Sequence, residues 1–192
     1  DGAWNPADTD EVIHGQITDF ATVDRAMDGV DGVIHTAAYF GGDENDINPF
    51  MVNLKGLWNI LESAKRRGIR RVVHVGSCQV EHPQGVFFDA HVRRPDGGLY
   101  AVTKRLQEEM CRQFHDAFGQ SIVVLRPCSI MDSRLGLAKR GGKLGPGSWS
   151  ESWVCRHDLA QGMAEIMSGL FKKVVIADTI GRSIVDPFYA DP

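Results

Sequence analysis

The chain has 192 residues, 43% of them hydrophobic, which suffices for one sizeable core in a single structural domain. A net charge of −4, with basic residues scattered in short groups such as Lys65-Arg66-Arg67 and Arg70-Arg71, argues against a nucleic-acid partner. The four cysteines, Cys78, Cys111, Cys128 and Cys155, lack paired spacing and read as reduced thiols of a cytoplasmic protein, and no apolar run approaches the ~18 residues of a membrane span.

In chain order, the first strand candidate is Val12-Ile13, preceded by only eleven residues. Asp31 to Thr36 is the next, a buried β-branched run. Phe50 to Arg67 carries apolar Met51, Leu54, Leu57, Trp58 and Leu61 at helical spacing. Arg71 to Ser77 is predicted as a strand, Leu99 to Phe118 as a helix closed by Gly119, and Ser121 to Pro127 as another strand. Residues 136–149, rich in glycine, read as a loop, followed by a helix over His157 to Leu170 and a last strand over Lys173 to Ala177. This alternation implies parallel strands joined by crossovers, a doubly wound α/β sheet.

Ligands of such sheets bind at the carboxyl ends of the strands. The residues to examine are therefore Ala37-Ala38-Tyr39, Ser77-Cys78-Gln79 and Cys128-Ser129-Ile130, together with the helix start at Tyr100 to Lys104. A tyrosine followed four residues later by a lysine arises by chance roughly 0.1 times in a chain with three Tyr, so that spacing is weak by itself. Its chemistry is nonetheless specific. Both side chains lie on one helix face, and an ammonium stabilises a phenolate, lowering the phenol from its usual value of ~10 toward working pH. The pair then suits proton transfer to or from a hydroxyl or carbonyl oxygen, which Ser77 would fix by a hydrogen bond. His35 and His74, alternating with Val and Ile, read as satisfied core histidines.

In this order the motifs resemble the extended short-chain dehydrogenase/reductase family of NAD-dependent epimerases, dehydratases and dehydrogenases. The matching segments are Asp31 to Ala38 with its "HxAA" ending, Asn53 to Leu61, Val75-Gly76-Ser77, Tyr100 with Lys104, Arg126-Pro127, and Trp153 to Leu159. The resemblance implies a Rossmann-like sheet, with residues 1–130 a partial NAD(P)-binding unit and residues 131–192 a small substrate-binding part. It implies Tyr100 as acid/base, Lys104 as its electrostatic support and ribose contact, and Ser77 as the group orienting the substrate oxygen. NAD, ahead of NADP, would lie against Gln16, Ile17, Thr36, Ala37, Ala38, Asn53, Tyr100, Lys104, Pro127, Cys128 and Ser129. Substrate would meet Tyr39, Phe40, Ser77, Cys78, Gln79, Ser129 and Arg134.

Closer likenesses point to the uronate dehydrogenase branch: Arg94 to Tyr100, Phe118-Gly119-Gln120 and Ser152-Trp153 with His157-Asp158. The implied activity is oxidation of a sugar, sugar acid or nucleotide-sugar, with a 4-epimerase or an inactive dinucleotide-binding module as alternatives. Cys78-Gln79 stands where sugar-nucleotide dehydratases carry Asp-Glu, which disfavours water elimination. The family's glycine-rich turn is missing and the chain opens on Asp1, so the stretch is expected to belong to a longer protein. Relatives dimerise through the helices here near 50–67 and 99–118, which implies a homodimer.

Overall fold

The computed structural model describes residues 12–80, 98–138, 141–145 and 153–168. The expected strand at Lys173 to Ala177 lies outside them, as do Arg94 to Gly97 and Ser152.

Three parallel strands form the main sheet in the order β1 (Gly32–His35), β2 (Arg71–Val75), β3 (Ser121–Leu125). Helices α1 (Phe20–Ala26), α2 (Gly56–Arg66) and α3 (Leu99–Phe118) lie on one side of the sheet, and α4 (Arg156–Ser168) on the other. Because successive residues of a strand point to opposite faces, Val72 enters the cluster of Val23, Leu57, Leu61, Ala64 and Phe114, whereas Val73 meets Leu125, Val154 and Leu159. Both faces of β2 are therefore covered, which is the doubly wound arrangement.

Helix α1 has no counterpart among the sequence expectations. Asp19 caps it by accepting from Ala21 N and Thr22 N, and Arg67 with Ser63 ties Asp24 of α1 to the end of α2. The guanidinium of Arg67, aided by the Ser63 hydroxyl, holds the Asp24 carboxyl down at about 2. Helix α3 ends as its sequence predicts, on Gly119 in the left-handed region (φ 67°), which a residue with a Cβ adopts only under strain.

Two expectations are corrected, and one further strand pair is added. Val12-Ile13 forms no strand; residues 12–16 are irregular and lead through a turn into α1. The helix expected over Phe50 to Arg67 opens as a π-helical segment, Pro49–Lys55, and becomes α-helical only at Gly56. Within this segment the Asn53 carbonyl accepts from Gln107 Nε2 at 2.6 Å, which ties it to α3. Finally, a second parallel pair, β4 (Ser129–Met131) with β5 (Trp153–Cys155), extends the carboxyl end of β3. Buried Asp132 anchors the turn after β4 by accepting from Arg134 N and Leu135 N, and pairs with Arg156 at the start of α4.

Candidate active site

The carboxyl ends of β1, β2 and β3 open onto a cleft of about 210 Å³. Thr36, Ala38 and Phe40 line it from the segment after β1, and Gly76, Ser77, Cys78 and Gln79 from the segment after β2. Tyr100 and Lys104 enter from the first turns of α3, and Pro127, Cys128 and Ser129 close it after β3. Strand ends and one helix start thus converge, as the sequence reading requires.

Tyr100 and Ser77 line the cleft together, with the Ser77 hydroxyl near enough to favour the phenolate, and the Tyr100 ring stacks on Phe40 with centroids 4.9 Å apart. Lys104 lies one helical turn on, only 1% exposed, with Nζ donating to Val75 O at 3.0 Å and standing 5.7 Å from the Tyr100 ring centroid. The phenol does not behave as expected from spacing alone. Burial pushes it above its ordinary value, against the lowering influence of Ser77. Burial also brings the Lys104 ammonium down to about 8, with Glu108 opposing the shift. At neutral pH the arrangement is a protonated phenol beside a charged but easily discharged lysine, so Tyr100 is poised first as an acid.

Behind this pair runs a buried polar layer. Asn53 accepts from Tyr39 N at 2.7 Å and donates to Tyr39 O and to Thr103 Oγ1, stitching the post-β1 segment to α3. His35 and His74, paired in register across β1 and β2, bring their Nδ1 atoms to 2.8 Å. One ring must donate and the other accept, so the two hold opposite tautomers. Both are core residues as expected, but each is only half satisfied: Nε2 of His35 and Nε2 of His74 are buried without a hydrogen-bond partner among the described residues. Burial, reinforced by the Lys104 charge, drops His35 to about 4, and burial together with its neighbours takes His74 to about 2. Both are neutral at working pH. Glu108 grips Arg126 through two bonds, of 2.9 and 2.6 Å, and so fixes α3 against the end of β3.

Other predicted residues fall elsewhere. Gln16 is exposed and Ile17 packs beside Gly56 while its carbonyl accepts from Asn59, so neither lines the cleft. Ala37 is absent from the lining, and Tyr39 turns its hydroxyl to Asp46 at 2.8 Å. Arg134 sits on the exposed turn after β4, outside the lining. Ile130, named among the strand-end residues, does line the cleft, whereas Leu159 and Met163 of α4 were missed by sequence reasoning. Leu159 and Met163, four residues apart, share one face of a helix that the sequence did predict, which was the available signal.

Residues 2–140 match the model of the NAD dependent epimerase/dehydratase family. The chain belongs to that family. It is 33% identical over 126 residues to the uronate dehydrogenase of Pseudomonas syringae pv. tomato, covering 62% of this chain and 44% of that one. It is 28% identical over 190 residues to sterol demethylase protein B of Methylococcus capsulatus, covering 91% of this chain and 52% of that one. Among solved structures, the complex of Thermus thermophilus UDP-glucose 4-epimerase with NAD superposes with a TM-score of 0.66 at 21% identity, over 90% of this chain and 65% of that one, a likeness of fold. The chain spans about half the length of the curated relatives named here.

Proposed function

We propose that this chain carries the proton-transfer centre of an NAD-dependent oxidoreductase acting on a sugar or sugar acid. The observation that carries the reading is the convergence of Ser77, Tyr100 and buried Lys104 on one cleft. Membership of an NAD dependent family and the likeness to a uronate dehydrogenase support it.

The donor set suits a nicotinamide nucleotide. Lys104 offers a buried ammonium to a ribose hydroxyl, and Thr36, Ala38 and Pro127 give small or flat surfaces against which a ring can lie. When bound there, that cofactor supplies the acceptor or donor of a hydride. The chain's own residues do the rest. Ser77 and Tyr100 hold the substrate oxygen between two hydroxyls, and Tyr100 Oη gives or takes its proton. Lys104, charged at neutral pH, stabilises the phenolate formed when the proton leaves. Phe40 packs on the Tyr100 ring and fixes its direction.

A second reading, a sterol-like alcohol as substrate, is favoured by the apolar wall of Phe40, Ile130, Leu159 and Met163 and by the match to a sterol demethylase protein over 91% of the chain. Residues 131–192 would then shape the substrate side in either case. The exposed apolar residues Trp58 of α2 and Leu106 and Phe118 of α3 suit a homodimer packed through these helices, and the free thiols suit a cytoplasmic setting.

Single-turnover NAD reduction with a panel of uronates, neutral sugars and a 3-hydroxysterol tests the reading. Tyr100→Phe is expected to slow it by about 10²–10⁴-fold. Equal rates in the variant and the parent would overturn the role of Tyr100. Substrate conversion without net NAD reduction would assign the chain to the epimerases instead.

A further inference from the structure

The pairing of β2 with β3 continues past the strand ends. Within the strands Arg71 faces Ser121 and Val75 faces Leu125, a constant offset of 50 residues. Beyond them Gly76 N donates to Leu125 O at 2.7 Å and Cys78 N donates to Pro127 O at 3.2 Å. In a parallel ladder such an N–H reaches the carbonyl one residue before its partner, so Cys78 stands opposite Cys128 at the same offset. Neighbouring strands lie ~4.8 Å apart, within the ~4.4–6.8 Å between Cα atoms that a disulfide spans. Both side chains line the cleft next to Ser77 and Tyr100, and neither is fully buried. The other two cysteines are placed differently: Cys111 is buried among the apolar residues of α2 and α3, and Cys155, buried in β5, contacts Ser133.

We propose that Cys78 and Cys128 form a reversible disulfide across the floor of the cleft, and that the oxidised form is closed to substrate. A low-molecular-weight disulfide such as oxidised glutathione is the oxidant. The Cys78 thiolate attacks one of its sulfurs, forming a mixed disulfide and releasing one glutathione thiolate. Cys128 then loses its proton to solvent and attacks Cys78 Sγ, and the second glutathione leaves as thiolate. Two protein thiols are oxidised and one small disulfide is reduced to two thiols, so electrons and protons balance. Its neighbour Cys78 and burial push the Cys128 thiol up, which suits Cys128 to the second, resolving step. Because Cys78 directly follows Ser77, the bond pins the Ser77 turn to the segment after β3 and removes its freedom to seat a substrate oxygen. Bond formation stands independently of the oxidoreductase reading; closure of the cleft rests on it.

The test exposes the reduced chain to excess oxidised glutathione, quenches with acid, alkylates with N-ethylmaleimide and reads intact mass and a non-reducing peptide map. The alkylated thiols are expected to fall from four to two, with one peptide joining residues 78 and 128, reversed by dithiothreitol. Cys128→Ser is expected to stop at a glutathione adduct on Cys78; should that variant not fold, the map of the parent chain decides alone. Four alkylated thiols after oxidation, a persistent glutathione adduct in the parent chain, or a link involving Cys111 or Cys155 would each overturn the pairing. Single-turnover NAD reduction is expected to fall by about tenfold or more in the oxidised chain, the scale on which small misplacements at a reacting centre act, and to return on reduction. A link formed with turnover unchanged overturns closure, whereas a link formed in a chain that never reduces NAD supports the thiol pair and counts against the oxidoreductase reading.

Discussion

The two halves of α3 pack on the same side of one sheet and bury opposite chemistry. The first half sinks Thr103, Lys104, Gln107 and Glu108, all polar, against the strand ends. The second half sinks Cys111 and Phe114 against Leu57, Leu61 and Ile69. Directional bonds hold the first half: Asn53 to Thr103, Gln107 to the Asn53 carbonyl, Lys104 to Val75, and Glu108 to Arg126. Removal of apolar area from water holds the second. The lesson is that a layer rich in buried polar groups is held by directional bonds to most of them, and the adjoining apolar stretch supplies the stability that offsets those left without a partner, such as Gln107 Oε1 and His35 Nε2.

That contrast can be broken from either end. Phe114→Ala should cost about 3–5 kcal/mol of stability, because it removes an aromatic side chain packed edge-on against Trp58 and Phe118; urea unfolding measures it. Asn53→Ala should cost about 2 kcal/mol, mainly by stranding the Tyr39 amide and Thr103, and should lower turnover per folded molecule as well, since it loosens the post-β1 wall of the cleft.

Lys104 sharpens the comparison through pH. Its folded value of about 8 lies below the 10.5 of the unfolded chain, so between these values the unfolded state binds more protons. Stability referred to Lys104 therefore rises as pH climbs from 8 to 10.5 and falls again as pH is lowered through the same window. The stability of the parent chain relative to Lys104→Met, followed by urea melts over that window, should grow by about 1–2 kcal/mol with rising pH. A flat difference would show that Lys104 titrates as an ordinary exposed lysine. Asp19 marks the far edge of the comparison: Asp19→Ala should give the smallest loss, a slight drop in urea midpoint through the lost N-cap of α1, and leave turnover unchanged.

Much of this was legible beforehand. The β-branched runs located β1, β2 and β3, apolar spacing located α2 and α3, and Gly119 marked the end of α3. Tyr100, Lys104 and Ser77 were legible because each occupies a strand or helix end, where topology alone brings ligands. What stayed hidden depends on register or on small departures from regularity. The π-helical opening at Pro49 leaves the same apolar spacing as an α-helix would. The pairings of His35 with His74 and Cys78 with Cys128 need the strand register, which no local pattern in either strand states. Strands β4 and β5 have three residues each, too few for a periodicity to declare itself. The raised phenol of Tyr100 escaped for a related reason: spacing indicated a cation one turn away but not the depth of burial that raises the phenol.

The most direct test of the central claim, that the polar half of α3 does the chemistry while the apolar half holds the fold, sets two variants side by side. Tyr100→Phe and Phe114→Ala are each assayed for single-turnover NAD reduction per folded molecule and for urea midpoint. The account predicts that Tyr100→Phe loses about 10²–10⁴ in rate and less than about 1 kcal/mol in stability, while Phe114→Ala loses stability and keeps its rate. A Tyr100→Phe protein that reduces NAD at the parental rate would contradict it.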